Sequence, residues 1–377
     1  MAGSIFGDIF SVATWGESHG KGLGVVVDGC PAGVPLTEED VQRYLDRRKP
    51  GETRYSTPRK EGDKVEILSG VFEGKTTGTP ISMMVLNTSQ KSRDYSEIAS
   101  YYRPGHADYT FDQKYGFRDY RGGGRSSGRE TIGRVAGGAV ASKILAELGI
   151  KICAYVRSIG DIEVDPGKMK LGNIEKSPLR MPDLEASERA EAFLEGQMKN
   201  HDSAGGVIEC VISGVPAGIG DPVFGKLDAA LAQAVMSIGA VKGVEIGSGF
   251  AAAKRSGSEN NDEFCINEEG KVDKKTNSAG GILGGISDGS PIVLRAAFKP
   301  TPSVFAEQGT VNQSGEEIRV QIKGRHDPVI VPRAVVVVEA MAALTLVDRM
   351  FVGMTSRMDR IARFYDSPTA QKNYDKL

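Results

Sequence analysis

The sequence predicts an α+β fold, a β-α-β sandwich in which central helices lie between antiparallel sheets. Short apolar and β-branched runs follow one another through tight turns, which favours antiparallel strand pairing. The longest apolar stretch, residues 334–346, is suited to a core helix that is covered on more than one side. Glycine supplies 48 of 377 residues, an excess that permits tight turns and close backbone approach. We expect residues 1–377 to form a single domain.

Alternation of apolar and polar residues predicts nine strands. They are expected at residues 9–14, 23–27, 65–71, 81–86, 152–159, 207–212, 244–253, 292–298 and 318–322. Most connections between them are short.

Start and stop signals predict four helices. Capping boxes precede two of them and proline-containing starts precede the other two. The start signals and their helices are Thr37 to Asp40 before 41–48, Ser127 to Glu130 before 131–148, Asp221-Pro222 before 227–236, and Pro332 before 334–350. The segment Lys49-Pro50-Gly51 and residue Gly149 supply stops.

Two segments of the chain resemble each other at a constant offset of 185 residues. Residues 26–34 read VVDGCPAGV and residues 211–219 read VISGVPAGI, and each is followed by a predicted helix. A strand, a Pro-Ala-Gly turn and a helix used twice predict two halves related by a pseudo-twofold axis. Coincidence between two common turns is the alternative.

Charge and cysteine usage exclude several classes of protein. The formal charge of −2 provides no global positive field, so we expect neither nucleic acid nor a membrane as a partner. The four cysteines lie far apart and form no C-x-x-C pair, which argues against a zinc site and a disulfide framework. The N-terminal residues lack a secretory signal pattern, and a membrane span needs about 20 apolar residues. A reducing, cytoplasmic location is therefore expected.

A glycine-rich segment flanked by arginines predicts an anion site. Residues 121–131, RGGGRSSGRET, run into a capped helix, where free backbone N–H groups and arginine forks can hold phosphate or carboxylate. A simple turn and an RNA-binding RGG tail are the alternatives. The helix that follows argues against the tail.

Two histidines lie beside glycines in predicted loops. They are His19, in WGESHG, and His106, in RPGHAD, and a loop histidine can exchange a proton near neutral pH. The structural alternative for each is a hydrogen bond to a carbonyl. Asp327, in GRHDP, offers a carboxylate beside an arginine, whereas His201 and His326 are assigned structural roles.

A basic run, residues 43–60, is broken by Pro50-Gly51, so that Arg48 and Arg54 are able to reach inward toward an acidic ligand. The ordinary alternative is a solvated helix face. The sequence contains no Walker-type phosphate loop and no clustered ligand set that suggests a metal. These observations together predict an enzyme pocket for a phosphorylated, acidic small molecule.

The motifs GESHG, RPGHAD, RGGGRSSGRET, MSI with VKG, and GRHDP occur together and in order. This set resembles the chorismate synthase family over residues 6–350. The resemblance implies a lyase of the shikimate pathway that converts 5-enolpyruvylshikimate 3-phosphate into chorismate and phosphate by 1,4-anti elimination. It also implies a need for reduced flavin mononucleotide (FMN) without net oxidation.

The resemblance implies roles for individual residues. His19 would protonate the departing phosphate, His106 would protonate the reduced flavin, and Asp327 would act with the flavin in removing the ring hydrogen. Substrate contacts are implied for Ser18, Arg48, Arg54, Arg103, Ser127, Arg129, Arg134 and Arg325. Flavin contacts are implied for Arg125, Ser126, Ser127, Gly239, Ala240, Gly284, Lys299, Pro300, Thr301, Pro302, Ser303 and Arg325.

The resemblance further implies a homotetramer. The large insertions of some eukaryotic members are absent, so we predict that a separate flavin reductase, rather than this chain using NADPH, supplies the reduced FMN. Two other function classes stay open from the sequence: another flavin- or phosphate-binding enzyme, and a non-catalytic module that binds anions or RNA. A binding module would not require His19, His106 and Asp327.

Overall fold

The structure, a computed structural model, describes residues 3–51, 54–56, 62–88, 97–322 and 327–365. Its strands are β1 (Ile5–Phe6), β2 (Ser11–Gly16), β3 (Gly22–Asp28), β4 (Val65–Ile67), β5 (Val71–Phe72), β6 (Lys75–Thr76), β7 (Ile81–Leu86), β8 (Lys151–Ile159), β9 (Ile162–Glu163), β10 (Gly206–Ser213), β11 (Val241–Ile246), β12 (Phe264–Ile266), β13 (Val272–Lys274), β14 (Ile282–Leu283), β15 (Ile286–Ser287), β16 (Ile292–Phe298), β17 (Gln308–Val311) and β18 (Glu317–Val320). Its α-helices are α1 (Glu38–Arg48), α2 (Asp108–Tyr115), α3 (Thr131–Glu147), α4 (Leu184–Lys199), α5 (Leu227–Met236), α6 (Gly257–Asn260), α7 (Val331–Val352) and α8 (Met358–Phe364).

Two five-stranded antiparallel sheets enclose the long helices. The first has the order β1-β2-β3-β7-β4 and the second has the order β11-β16-β10-β8-β9. Helices α1 and α3 pack on the first sheet, α5 and α7 pack on the second, and α3 packs directly against α7. The predicted sandwich of helices between antiparallel sheets is confirmed.

The two sheets repeat one topology. Strands β2-β3-β7-β4 of the first sheet correspond in order to strands β8-β10-β16-β11 of the second, and α1 follows β3 as α5 follows β10. The predicted repeat is therefore confirmed at the level of strand order.

Hydrogen bonds at the Pro-Ala-Gly turns repeat as well. The Thr76 hydroxyl donates to the Pro31 carbonyl at 2.6 Å and accepts from the Val34 N–H at 3.0 Å. The Ser287 hydroxyl donates to the Pro216 carbonyl at 2.7 Å and accepts from the Ile219 N–H at 2.9 Å. A hydroxyl on a short hairpin, β5-β6 or β14-β15, thus closes each turn.

The central contact between the two halves depends on a small residue. A Cβ on Gly138 of α3 would lie 2.3 Å from the Ala340 Cβ of α7, closer than van der Waals contact permits. Helix α7 is largely apolar and is buried from Val331 to Asp348 apart from two partly buried residues. The glycine therefore lets the two helices pack backbone to backbone.

The first capping box forms as predicted and the second does not. The Thr37 hydroxyl accepts from the Asp40 N–H at 3.3 Å, and the Asp40 carboxylate accepts from the Thr37 N–H at 3.0 Å. Ser127 caps a 3₁₀ turn, Gly128–Glu130, and helix α3 begins only at Thr131. The Glu130 carboxylate instead binds the Arg134 guanidinium, because a full charge competes better than a backbone N–H for it.

Several other predicted bounds were wrong. The strand predicted at 244–253 ends at Ile246 and continues as a 3₁₀ turn, and the strand predicted at 65–71 is divided into β4 and part of a hairpin. Helices α2, α4, α6 and α8 and the hairpin β12-β13 were not predicted. Helix α4 does have a start signal, since the Asp183 carboxylate accepts from the Glu185 and Ala186 N–H groups.

Candidate active site

A cavity of about 750 Å³ lies where the N-terminal ends of α3 and α7 meet. Connecting segments from both halves form its wall: the loop after β2, the end of α1, residues 103–107, residues 123–130, residues 237–240, residues 299–303 and Asp327. The size suits a small organic ligand. Helix N-termini also carry partial positive charge, which favours an anion.

The cavity is strongly cationic although the whole chain is slightly acidic. Among the described residues, seven cationic and two anionic side chains line it, in a chain of formal charge −2. The cations are Arg48, Arg103, Arg125, Arg129, Arg134, Lys299 and Arg333, and the anions are Glu130 and Asp327. An anionic ligand is therefore the chemical complement of this wall.

Two of the arginines share one buried carboxylate. The Arg48 Nη1 lies 2.8 Å from Asp63 Oδ2, and the Arg129 Nη1 lies 2.9 Å from Asp63 Oδ1. Burial lowers the pKa of Arg48 to about 10, and burial raises the pKa of Asp63 despite the attraction of Arg48. At neutral pH the Arg48 guanidinium still carries its charge toward the cavity.

Two further arginines are held by acidic side chains in the same way. Arg103 makes a two-point contact with Asp108, at 2.8 and 2.7 Å, and Arg134 donates Nε to both oxygens of Glu130 at 3.0 Å. Burial opposes ionisation of Asp108, but the hydrogen bonds and charge of Arg103 prevail, so its pKa is lowered. Arg134 also donates to the Ser237 hydroxyl at 2.6 Å, which joins the two halves across the cavity.

Arg125 and Ser126 support the glycine-rich loop. The Arg125 guanidinium donates to the Gly16 carbonyl at 3.1 Å and to the Thr14 hydroxyl at 2.6 Å. The Ser126 hydroxyl donates to the Gly123 carbonyl at 2.6 Å. These contacts anchor the loop to the end of β2 and shape the cavity wall.

His19 lies on the loop after β2, beside the Ser18 hydroxyl. The Ser18 Oγ is 3.0 Å from the His19 Nδ1, and the ring packs against the backbone of Gly122. A Cβ on Gly122 would lie 2.1 Å from the His19 Nδ1, so only glycine leaves room for the ring. The Gly-Gly-Gly run therefore seats the histidine as well as forming the loop.

His106 has partners on both ring nitrogens. Its Nδ1 lies 3.0 Å from the Pro104 carbonyl and its Nε2 lies 2.8 Å from the Ser303 hydroxyl. Because a carbonyl only accepts, Nδ1 carries the proton and the neutral ring accepts from Ser303 at Nε2. Burial, reinforced by Arg103, lowers the pKa of His106, so the ring is neutral at pH 7.

Asp327 lies at the cavity wall just before α7. The Arg333 Nη1 contacts Asp327 Oδ2 at 2.5 Å, and the Arg333 Nε donates to the Arg48 carbonyl at 3.1 Å. One arginine in the first turn of α7 thus links the carboxylate to the end of α1.

The second half supplies a more polar, less charged wall. Lys299 donates to the Gly105 carbonyl at 2.8 Å, which fixes the loop that carries His106. The Thr301 hydroxyl is buried and makes no hydrogen bond to the part of the chain that the structure describes. Ala240 has a positive φ of 74°, a strained value for a residue other than glycine. A Cβ on Gly239 would meet open space.

Most of the residues predicted for the site line this cavity. They are Ser18, His19, Arg48, Arg103, His106, Arg125, Ser126, Ser127, Arg129, Arg134, Gly239, Ala240, Lys299, Thr301, Pro302, Ser303 and Asp327.

Three predicted residues are not part of the cavity lining, and one lies outside the described residues. The Arg54 side chain is 64% exposed and pairs with Glu191 and Glu195 of α4. Pro300 packs near Gly205, and Gly284 is at the tip of the β14-β15 hairpin. Arg325 lies outside the described residues.

Sequence reasoning gave no role in the site to several residues of this region. Arg333 and Glu130 line the cavity. Asp63 and Asn87 do not line it but bind arginines that do. Arg333 follows the Pro332 start signal, and Glu130 was assigned to the capping box. No local pattern distinguishes Asp63 or Asn87 from ordinary loop residues.

The chain has the architecture of an α+β enzyme in which helices lie between two antiparallel sheets and arginines line the cavity. The profile of the chorismate synthase family matches residues 10–351. A chorismate synthase from Lachnoclostridium phytofermentans is 69% identical over 365 residues, which cover 97% of this chain and 100% of that protein. One from Methanocella arvoryzae is 57% identical over 356 residues, covering 94% and 95% respectively.

A crystal structure of chorismate synthase is also similar, with 36% identity and a TM-score of 0.75 over 96% of this chain and 97% of that chain. The chain therefore belongs to the chorismate synthase family, and it is a lyase of the shikimate pathway. In the described part of the chain, no helix combines the length and the apolar character that crossing a membrane requires.

Proposed function

We propose that this chain converts 5-enolpyruvylshikimate 3-phosphate into chorismate and phosphate by 1,4-anti elimination, with reduced FMN bound and no net oxidation. One observation carries the proposal: an arginine wall, two histidines and Asp327 converge on a single cavity. The substrate has a phosphate and two carboxylates, and the excess of cations around the cavity matches that charge.

In this proposal the arginines bind and orient the substrate. Arg48, Arg103, Arg129 and Arg134 are held by carboxylates, so little side-chain order would have to be gained on binding. Ser18 and Ser127 add hydroxyl groups to the same wall. Arg54 and Arg325 stay proposed substrate contacts from the family resemblance.

His19 would give a proton to the departing phosphate. Ser18 lies 3.0 Å from its Nδ1, which orients the ring with Nε2 directed away from that contact. Asp327 would act as the carboxylate base in the other half of the elimination, the removal of the ring hydrogen. His106 is neutral without a ligand, and an anionic ligand in the cavity would raise its pKa and favour the protonated form.

The residues present fit reduced FMN. The buried Thr301 hydroxyl, which has no hydrogen-bond partner among the described residues, would suit a polar ligand atom. Gly239 leaves open space in the cavity wall, and Lys299 provides a cation. Arg125, Ser126, Ser127, Ala240, Pro302 and Ser303 would complete the contacts, with Pro300, Gly284 and Arg325 proposed from the resemblance alone. When bound, reduced FMN would supply electron density transiently to the substrate.

The same proposal includes a homotetramer, a cytoplasmic location, a separate flavin reductase as the source of reduced FMN, and residues 1–377 acting as one domain. Anaerobic incubation with NADPH and oxidised FMN tests the reductase component. Persistence of the oxidised flavin absorbance is expected, and rapid bleaching would contradict it.

The decisive experiment is anaerobic phosphate release from 5-enolpyruvylshikimate 3-phosphate, with and without chemically reduced FMN, while chorismate is recorded by absorbance. We expect phosphate and chorismate in equal amounts, and only when reduced FMN is present. No release in either sample, from protein with a cooperative thermal transition, would remove the proposed reaction.

A further inference from the structure

Two residues that do not line the cavity hold two of its arginines. Arg48 ends α1 and Arg129 lies in the turn before α3, so these side chains arrive from different parts of the chain. Asp63 binds both of them, and Asn87 binds Arg129. The relative placement of the two guanidinium groups is therefore set from outside the cavity.

Asp63 bridges the arginines with one oxygen each. Oδ2 lies 2.8 Å from the Arg48 Nη1 and Oδ1 lies 2.9 Å from the Arg129 Nη1. Arg48 also donates Nε to the Thr131 hydroxyl at 3.0 Å, so its guanidinium is held at two edges. Its Nη2 donates to the Gly128 carbonyl at 3.4 Å, and both arginines line the cavity.

Asp63 at this position lowers the free energy of unfolding in two ways. Its side chain is 0% exposed, and its φ of 41° is in the left-handed region. Desolvating a carboxylate and holding left-handed backbone both oppose folding. A residue with both costs is expected where a particular arrangement of charges is needed.

Asn87 connects Arg129 to the loop that carries His19. Its Oδ1 accepts from the Arg129 Nε at 2.5 Å, and its Nδ2 donates to the Glu17 carbonyl at 3.0 Å and the Gly20 carbonyl at 2.8 Å. One amide thus binds both Arg129 and the loop that carries Ser18 and His19.

The neighbouring position on α1 provides a contrast. Arg47 pairs with Glu339, which is also buried and also accepts a backbone N–H, from Ala154. Neither Arg47 nor Glu339 lines the cavity. Successive arginines of one helix therefore pair with buried carboxylates, one pair at the cavity and one away from it.

We infer that Asp63 and Asn87 are positioning residues for the substrate: they hold Arg48 and Arg129 at a fixed separation and in register with the His19 loop, as recognition of a phosphate and a carboxylate requires. This inference rests on the proposed function. A purely electrostatic role predicts the opposite effect of neutralising Asp63, because removing its negative charge makes the wall more cationic.

The test is calorimetric binding of 5-enolpyruvylshikimate 3-phosphate in air, without reduced flavin, to wild type, Asp63→Asn and Glu339→Gln. Asparagine tolerates left-handed backbone, so Asp63→Asn removes charge without adding strain. We expect Asp63→Asn to raise Kd about tenfold or more and Glu339→Gln to change it by less than about twofold. Thermal midpoints of all three report the loss of stability that any buried carboxylate substitution causes.

Equal or tighter binding by folded Asp63→Asn would overturn the inference and leave the proposed function intact. A wild type that neither binds the substrate nor releases phosphate from it in the anaerobic assay with reduced FMN would instead remove the proposed function.

Asn87→Ala provides a second, independent variant at a less buried side chain, and it decides the question if Asp63→Asn does not fold. Loss of the amide frees both Arg129 and the His19 loop, so we expect Kd to rise and kcat to fall together, each by about fivefold or more. Unchanged Kd and kcat in this variant would overturn the inference.

Discussion

The two halves of the molecule share a scaffold but supply different chemistry to the cavity. In the first half, β2-β3-α1-β7 and α3 provide both histidines and five arginines of the wall. In the second half, β8-β10-α5-β16 and α7 provide Ser237 to Ala240, Lys299 to Ser303, Asp327 and Arg333. The sheets and turns repeat, whereas the segments that precede α3 and α7 do not.

The repeated scaffold and the charged groups of the cavity belong mostly to different parts of the chain. The repeated hydroxyl at each Pro-Ala-Gly turn stabilises the scaffold in both halves, so it can be compared directly between them. Among the described residues, the segments that precede α3 and α7 carry most of the charged and titratable groups that line the cavity. Rigid elements thus position the site, and irregular segments determine its chemistry.

The largest effect is expected when the second half loses the carboxylate that is proposed as the base. Asp327→Asn keeps the side-chain shape and removes the group proposed to take the ring hydrogen, so kcat should fall by about 10²–10⁴-fold. Anaerobic turnover with reduced FMN measures it. Asp359→Asn is a matched control, because Asp359 also pairs with an arginine, Arg357, but lies outside the cavity lining. Full activity of Asp327→Asn would move the base to another residue.

A smaller loss of turnover is expected from a change in the first half that removes none of its proposed catalytic groups. In Gly122→Ala the new methyl group collides with the His19 ring, which must move away from Ser18. A displacement of about 1 Å at a catalytic group lowers turnover by about 10²-fold. Gly172→Ala, where a Cβ meets nothing within 4 Å, should be active. Wild-type kcat in Gly122→Ala would show that His19 does not need its observed position.

The equivalence of the two scaffolds predicts matched losses of stability. Thr76→Val and Ser287→Ala each remove a buried hydroxyl that bonds one carbonyl and one N–H, so each should cost about 1–3 kcal/mol of unfolding free energy. Urea unfolding of both variants measures the two values. A large loss of unfolding free energy for one variant and none for the other would mean that the two turns do not stabilise their halves equally.

The smallest effect is the pH dependence contributed by His106. Burial lowers the pKa of His106 in the folded state below its unfolded value, which is near 6.5. Between these two pKa values the unfolded chain therefore binds more protons than the folded chain. Stability from the neutral ring is complete above about pH 6.5 and is lost as the pH falls toward the folded-state pKa. His106→Gln should therefore lose less unfolding free energy than wild type between pH 7 and pH 5, measured by urea unfolding. An equal loss of unfolding free energy in His106→Gln and in the wild type would contradict a lowered pKa of His106.

Local signals predicted the scaffold well because they act over a few residues. The Thr37 capping box, the exact limits of the strand Ile292–Phe298 and of the helix Leu227–Met236, and the repeated Pro-Ala-Gly turns all depend on near neighbours in sequence. The second capping box was wrong because Arg134, one turn later, competes for Glu130.

Local sequence patterns predicted a class of ligand and most of the residues that line the cavity, since glycines beside arginines and histidines have a local chemical meaning. The contacts of Asp63 and Asn87 with Arg48 and Arg129 could be recognised only in the folded chain. The same is true of the ion pair between Arg54 and Glu195 of α4. A buried ion pair between residues 15 or 66 positions apart leaves no periodic trace in the chain. Its existence depends on which loops the folded sheets bring together, and that is a property of packing rather than of local sequence.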